Sequence, residues 1–330
     1  MHCPQLGKLP CLTAKKIRLP KKVAKFGAYK LEKFIVVMTK IQFTSWHKWS
    51  ESPYFDLKSF YETFDGGQSF AWDRQSDYIE GLFLQFLFRI RLEDNRIIFS
   101  IPKKANLKKA KNALAQYLAI DLDFDAMRDS LPWRSDPILK QAIDAYPYLR
   151  ILRQPLSETL LGFLCSSTKQ ILQIKQILRL SAESFGEPIF SHYKSLPTWD
   201  ILEKLEENQL RRLKLGYRAN YIKKSADLLK VKPQCLKELP ALPTQDAKKM
   251  LMQLPGVGEK IADCVLLFGL GRMESFPIDT WIEKILIRFY QLEGYSKNQL
   301  QQFARAHFGA NAGYAQQFLF SAARSEEIMI

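Results

Sequence analysis

The sequence predicts an α+β fold: an N-terminal antiparallel β-sheet domain followed by a mostly α-helical body built round a helix-hairpin-helix. Three observations predict it. Between about Ile41 and Ile120 the chain runs in short alternating or aromatic-rich stretches broken by turns. From about Asp136 onward, apolar residues recur at helical spacing nearly throughout. Within that helical texture, Leu254-Pro255-Gly256-Val257-Gly258-Glu259-Lys260 stops one amphipathic run and starts another at once.

Taken in order, residues 1–40 form a basic arm, 41–135 an α+β domain and 136–330 the helical domain, with its hairpin at 254–260. The arm holds ten Lys/Arg and one acid, Glu32. Its first 37 residues read either as a disordered solvated tail or as the product of a start site placed upstream of Met38. In the next stretch, Tyr78 to Arg91 and Arg96 to Ile101 are expected to be strands joined by Leu92-Glu93-Asp94-Asn95. Asp65-Gly66-Gly67 reads as a hairpin-type turn ahead of Ser69-Phe70-Ala71-Trp72. Beyond 136, Gly186-Glu187-Pro188, Pro197, Pro233, Pro240 and Pro243 mark breaks between helices. Arg211 to Lys224 is dense in cations with tyrosines interleaved and reads as a basic helical surface.

The hairpin carries the chemistry. Gly-x-Gly at Gly256 and Gly258 allows a tight turn and bares the first amides of the following helix, where the dipole favours an anion such as a nucleic-acid phosphate. Lys260 falls in the first turn of that helix, a poor place for a cation, so partial desolvation there favours a neutral amine nucleophile. Asp279 follows a Gly/Pro-containing loop and opens the next helical run, Trp281 to Tyr290, where its carboxylate can face the same cleft. Each feature alone has a blander reading: a turn, a solvated lysine, a helix N-cap.

Composition narrows the function. The chain has 330 residues, 47% of them hydrophobic, enough for a large core in two or three domains. A net charge of +15 favours a polyanionic partner over a neutral small molecule. The arm supplies +9 of that, leaving +6 on the body, whose charge must be clustered to form a DNA face. No apolar run approaches the roughly 20 residues of a membrane span, and no signal-peptide pattern follows the basic start. A cytoplasmic or nuclear protein, not secreted, is expected. Five scattered cysteines (Cys3, Cys11, Cys165, Cys235, Cys264) suit a reducing compartment and offer no close-spaced quartet for zinc or an iron–sulfur cluster, so no metal site is expected.

The helix-hairpin-helix, the loop and the aspartate together resemble the helix-hairpin-helix superfamily of base-excision DNA glycosylases. The wording Leu254-Pro255-Gly256-Val257-Gly258-x-Lys260-x-Ala262-Asp263-Cys264 is more narrowly similar to the 8-oxoguanine DNA glycosylase/lyase family. Gly67-Gln68-Ser69-Phe70-x-Trp72, Phe163-Leu164-Cys165-Ser166-Ser167, Leu215-Gly216-Tyr217-Arg218-Ala219 and the Ala312 to Ser321 helix resemble further blocks of that family.

The resemblance implies a bifunctional enzyme that excises oxidised purines from duplex DNA. Lys260 would be the Schiff-base nucleophile and Asp279 the carboxylate that stabilises the developing sugar cation. Gly67, through its backbone carbonyl, Cys264, Gln316 and Phe320 would hold the extruded base. Tyr217 would wedge into the duplex, Arg218 would read the base left behind, and Gly256 and Gly258 would grip phosphate. The partner implied is double-stranded DNA containing a damaged purine, met by a monomer without a redox cofactor; a cation bridging hairpin and phosphate is the one ion the family suggests.

Departures from the family's pattern fall at Thr168, Lys169 and Gln170 in place of asparagines, at Gln173 in place of a second cytosine-reading arginine, and at Trp281 and Ala323 in place of a histidine–aspartate pair. The rivals are a monofunctional glycosylase for alkylated purines, which keeps the aspartate but lacks the lysine, and a non-catalytic module that uses the hairpin only as a phosphate grip.

Overall fold

The structure is a computed structural model that describes residues 41–329; the basic arm of the sequence reading lies outside them. The chain opens with β1 (His47–Lys48), α1 (Leu57–Asp65), β2 (Trp72–Arg74), β3 (Ile79–Phe83), β4 (Phe86–Glu93) and β5 (Arg96–Ser100). These strands form one antiparallel sheet in the order β1-β5-β4-β3-β2. The stretch Tyr78 to Arg91 is therefore two strands and not one. Leu84 and Gln85 both take positive φ (45° and 65°), as do Asp94 and Asn95 (51° and 61°), and such two-residue turns match the twist of the strands they join. Leu and Gln carry no turn signature, which is why the first hairpin is silent in the sequence.

Asp65-Gly66-Gly67 also departs from expectation, because it closes a helix. Asp56 caps the start of α1 by accepting from the Ser59 N–H at 2.6 Å, and Gly66 ends it by donating to the Glu62 carbonyl. On one face of the sheet α1 and α2 (Leu107–Tyr117) enclose an aromatic core that includes Phe60, Phe64, Trp72, Phe83, Phe88 and Phe99. Tyr117 is buried there with its hydroxyl satisfied by Ser69 Oγ (2.8 Å) and by the Trp72 indole N–H (3.1 Å).

The body continues through α3 (Phe124–Asp129), α4 (Pro137–Ala145), α5 (Leu156–Leu164), α6 (Ile171–Phe185), α7 (Trp199–Glu203), α8 (Glu207–Leu210), α9 (Arg218–Val231), α10 (Cys235–Glu238), α11 (Thr244–Leu251), α12 (Glu259–Leu270), α13 (Thr280–Tyr290), α14 (Lys297–Phe308) and α15 (Ala312–Arg324). A short hairpin, β6 (Pro188–Phe190) with β7 (Tyr193–Lys194), stands where the sequence offered only a helix break. The basic block is not one helix either. Lys214 (φ 64°) and Gly216 (φ 59°) turn the chain sharply, so α9 begins only at Arg218 and Tyr217 sits on its rim.

α12 is almost wholly buried from Ile261 to Phe268 and packs against α5, at the centre of the helical core. One glutamine joins sheet to helices. Gln68 donates to the Arg150 carbonyl (2.8 Å) and accepts from the Leu152 N–H (2.8 Å), while Gln154 donates to the Gln68 carbonyl (2.6 Å). Gly67 is thereby tied to the segment that leads into α5.

Candidate active site

The hairpin needs only one of its two glycines for conformation. Gly256 has φ 83°, and a Cβ there would fall 2.7 Å from Tyr221 Cγ, so the turn is built on its bareness and on close packing against α9. Ser225 Oγ pins the same turn by donating to the Pro255 carbonyl at 3.0 Å. Gly258, by contrast, has φ −93°, and a Cβ on it would meet nothing within 4 Å. It is the N-cap of α12 and gives no side-chain cap, which leaves the first amides of a 12-residue helix facing open space. Tyr217, 49% exposed, meets Tyr221 edge-on at 5.9 Å. Tyr217 and the hairpin thus both lie against Tyr221.

Lys260 lies in the first turn of α12 and is half-buried. Its ammonium stands over the Phe163 ring (5.2 Å) and donates to Ser166 Oγ at 3.4 Å, both contributed by the end of α5. Asp279 caps α13 by accepting from the Trp281 and Ile282 N–H groups at 3.0 and 2.9 Å. The N-cap reading and the catalytic reading of Asp279 are therefore compatible: capping fixes one carboxylate oxygen and aims the group. Burial lifts its carboxyl above the ordinary carboxylate range, against the pull of the capping amides and of Lys260. Cys264, one turn after Lys260, is buried, and desolvation pushes its thiol up to about 12 although Lys260 opposes this. A thiol held neutral is a polarisable wall, not a nucleophile.

Gly67 and Phe320 of α15 come together where the sheet meets the helices. Gly67 takes φ 107°, and a Cβ on it would meet Ile171 Cδ1 at 2.9 Å and Phe320 Cε1 at 3.6 Å. Its carbonyl accepts no backbone N–H among the described residues. Gln316, one turn before Phe320 on α15, is buried with its Oε1 unpartnered. An orphaned buried amide oxygen costs about 1–3 kcal/mol and is kept where a ligand will satisfy it.

Arg218 is not where the sequence reading expects a base-reading arginine. It is 3% exposed and turned inward, donating to the Thr168 hydroxyl (2.8 Å), the Leu215 carbonyl (3.3 Å) and the Ser167 carbonyl, with its guanidinium on the Tyr217 ring at 4.4 Å. Contact with DNA requires it to leave this nest. Gln173 spends its side chain on the start of α6, accepting from the Gln170 N–H at 3.1 Å. Trp281 is 39% exposed with the Lys284 ammonium 5.8 Å from its ring, and Ala323 is packed in the core, so the missing histidine–aspartate pair leaves no stranded charge.

Comparison with known proteins bears on the fold and the family. Residues 54–160 match the model for the 8-oxoguanine DNA glycosylase N-terminal domain. MBOgg1, solved with a low-affinity DNA ligand, is 30% identical, superimposes with a TM-score of 0.76 and covers 86% of this chain and 99% of its own. The chain belongs to the 8-oxoguanine DNA glycosylase family. Within the family, the Clostridium acetobutylicum 8-oxoguanine glycosylase/lyase, solved on double-stranded DNA with cytosine opposite 8-oxoG, is 28% identical with a TM-score of 0.77 over 87% of this chain and 99% of that one. The Arabidopsis thaliana N-glycosylase/DNA lyase OGG1 is 28% identical over 278 residues, 79% of this chain and 76% of that protein.

Sequence reasoning missed several members of the site. Phe163 and Ser166 were seen only as part of a family block, yet they seat the Lys260 amine. Behind the hairpin, Lys248 donates to Asp263 (2.8 Å), and Gln301 donates both to Asp263 (3.0 Å) and to the Phe276 carbonyl (2.7 Å). This buried set ties α11, α12 and α14 to the loop that presents Asp279. Only the unlikely burial of Asp263 within an apolar helix face signals it in the sequence.

Proposed function

We propose that this protein is a bifunctional DNA glycosylase/AP lyase that removes oxidised purines, above all 8-oxoguanine, from duplex DNA. The observation that carries the reading is the convergence of a half-buried lysine, a half-buried aspartate and the Cys264 thiol, close enough for the charges of Lys260 and Asp279 to act on each other and on the thiol. The damaged nucleotide must leave the stack, at a few kcal/mol, before chemistry can occur. Tyr217 fills the gap, and α12 and the Gly256–Gly258 hairpin hold the backbone.

The extruded base would lie between Phe320 and Cys264, its Watson–Crick edge on Gln316. The N7 proton carried only by the oxidised purine would donate to the Gly67 carbonyl. Lys260 attacks C1′ as the neutral amine; the C1′–N9 bond breaks and its electrons leave with the base. Asp279, as carboxylate, stabilises the cationic sugar meanwhile. Ring opening gives the Schiff base, loss of a C2′ proton follows, and β-elimination expels the 3′ phosphate. A monomer suffices, with no redox cofactor, and a cytoplasmic or nuclear setting suits the substrate; among the described residues no helix is long and apolar enough to cross a membrane.

Borohydride trapping on a duplex with one 8-oxoguanine opposite cytosine tests this. The wild type should give a covalent adduct that Lys260→Gln abolishes. Base release without an adduct would leave a monofunctional enzyme, and neither product would sink the assignment.

A further inference from the structure

A cavity of about 870 Å³ opens between β2 and β3 of the sheet, α5 and α6, and the β6–β7 hairpin. Neither Lys260 nor Asp279 lines it; Phe163, whose ring carries Lys260, stands between the two sites. Phe70, Leu82, Leu161 and Leu178 form an apolar patch of a wall that also carries polar and charged side chains, Asp73, Glu80 and Arg179 among them. Glu158 is set into that wall, half-buried, and makes no hydrogen bond or ion pair among the described residues.

The reason is local. Glu158 is the third residue of α5, where a glutamate ordinarily reaches back to the N–H of the N-cap residue. Here that residue is Pro155, which has no N–H to give. Neighbouring cations are already committed: Lys175 to Asp65 and the Trp72 carbonyl, Arg179 to Asp73. Burial alone lifts the Glu158 carboxyl up to about 7. An unpaired carboxylate beside an apolar patch of a cavity wall is suited to a cationic donor with an apolar body.

We propose that this cavity binds a small aromatic cation of the amidine or guanidine class, its paired N–H donors on the Glu158 carboxylate and its ring against Phe70 and Leu178. A planar N–H fork matches a carboxylate bidentately, which a simple ammonium or a neutral amide does not. The site is separate from the excision chemistry, so its test does not depend on that reading.

Isothermal titration of the full chain at pH 8 with benzamidine, and with neutral benzamide as control, decides it. Benzamidine should bind at least tenfold more tightly than benzamide. Glu158→Gln should remove that preference, and Ala182→Phe, which fills the cavity from α6 and leaves the carboxylate in place, should remove binding altogether. Both variants should excise 8-oxoguanine like the wild type. Equal binding of the two probes, benzamidine binding unchanged in either variant, or no binding at millimolar concentration would overturn the proposal.

Discussion

Gln316 carries a cost in stability. Its buried Oε1 has no partner in the free protein, so Gln316→Met, which keeps the volume and removes the orphan, should hold or raise the melting temperature. The same change removes the amide proposed to read the base edge and should lower kcat/KM for 8-oxoguanine by about 10–100-fold, at roughly 1–3 kcal/mol per lost pairing. Thermal melts and single-turnover excision on one sample would separate the two effects. Asp279 makes a pH prediction. Burial raises its carboxyl above the ordinary aspartate value of about 3.9, so excision should fall on an acid limb centred above that value. A raised carboxyl contributes stability that is full below the unfolded value and lost as pH rises through the folded one, so Asp279 itself does not unfold the protein in acid. Circular dichroism unchanged across the limb would attribute it to chemistry, and Asp279→Asn should abolish excision at every pH.

At the scale of elements, the hairpin separates conformation from contact. Gly258→Ala adds a methyl into open space at an extended residue, and should leave the fold intact while weakening DNA binding, since the phosphate approaches where the methyl now stands. Gly256→Ala should impair both, because its φ is positive and its Cβ collides with Tyr221. Melting curves and fluorescence anisotropy on a duplex distinguish the pair. The Lys248–Asp263–Gln301 set holds α12 in register with α11 and α14. Desolvation outweighs Lys248 and pushes the Asp263 carboxyl up to about 6. Asp263→Ala strands a buried ammonium and should cost about 3–5 kcal/mol, while Lys248→Met with Asp263→Leu should recover most of it. Urea denaturation measures both.

At the scale of the molecule, sheet and helices must stay in register for Gly67 to reach Phe320. Gln68 enforces this with both ends of its amide. Gln68→Ala leaves the Arg150 carbonyl and the Leu152 N–H without partners and should destabilise by roughly 2–3 kcal/mol. Excision should fall further than the melting temperature alone explains, because the Gly67 carbonyl loses its placement. A loss of activity that simply tracks the unfolded fraction would contradict this role.

The sequence by itself determined the two-part architecture, the helix-hairpin-helix and the place of Lys260 in a helix's first turn, because period, turn glycines and a lysine-bearing first turn are local properties of the chain. Asp279 was legible for the same reason: capping needs only its own helix. Tertiary structure alone decided that Tyr78 to Arg91 folds back on itself, since Leu84 and Gln85 adopt left-handed turns that strand pairing imposes. It also decided that Gly258, unlike Gly256, is not required by conformation, and that Arg218 rests inward on Thr168. The amine's seat on Phe163 and the free carboxyl of Glu158 belong to the same class. Each depends on what a distant segment places beside a residue, and no spacing along the chain encodes that.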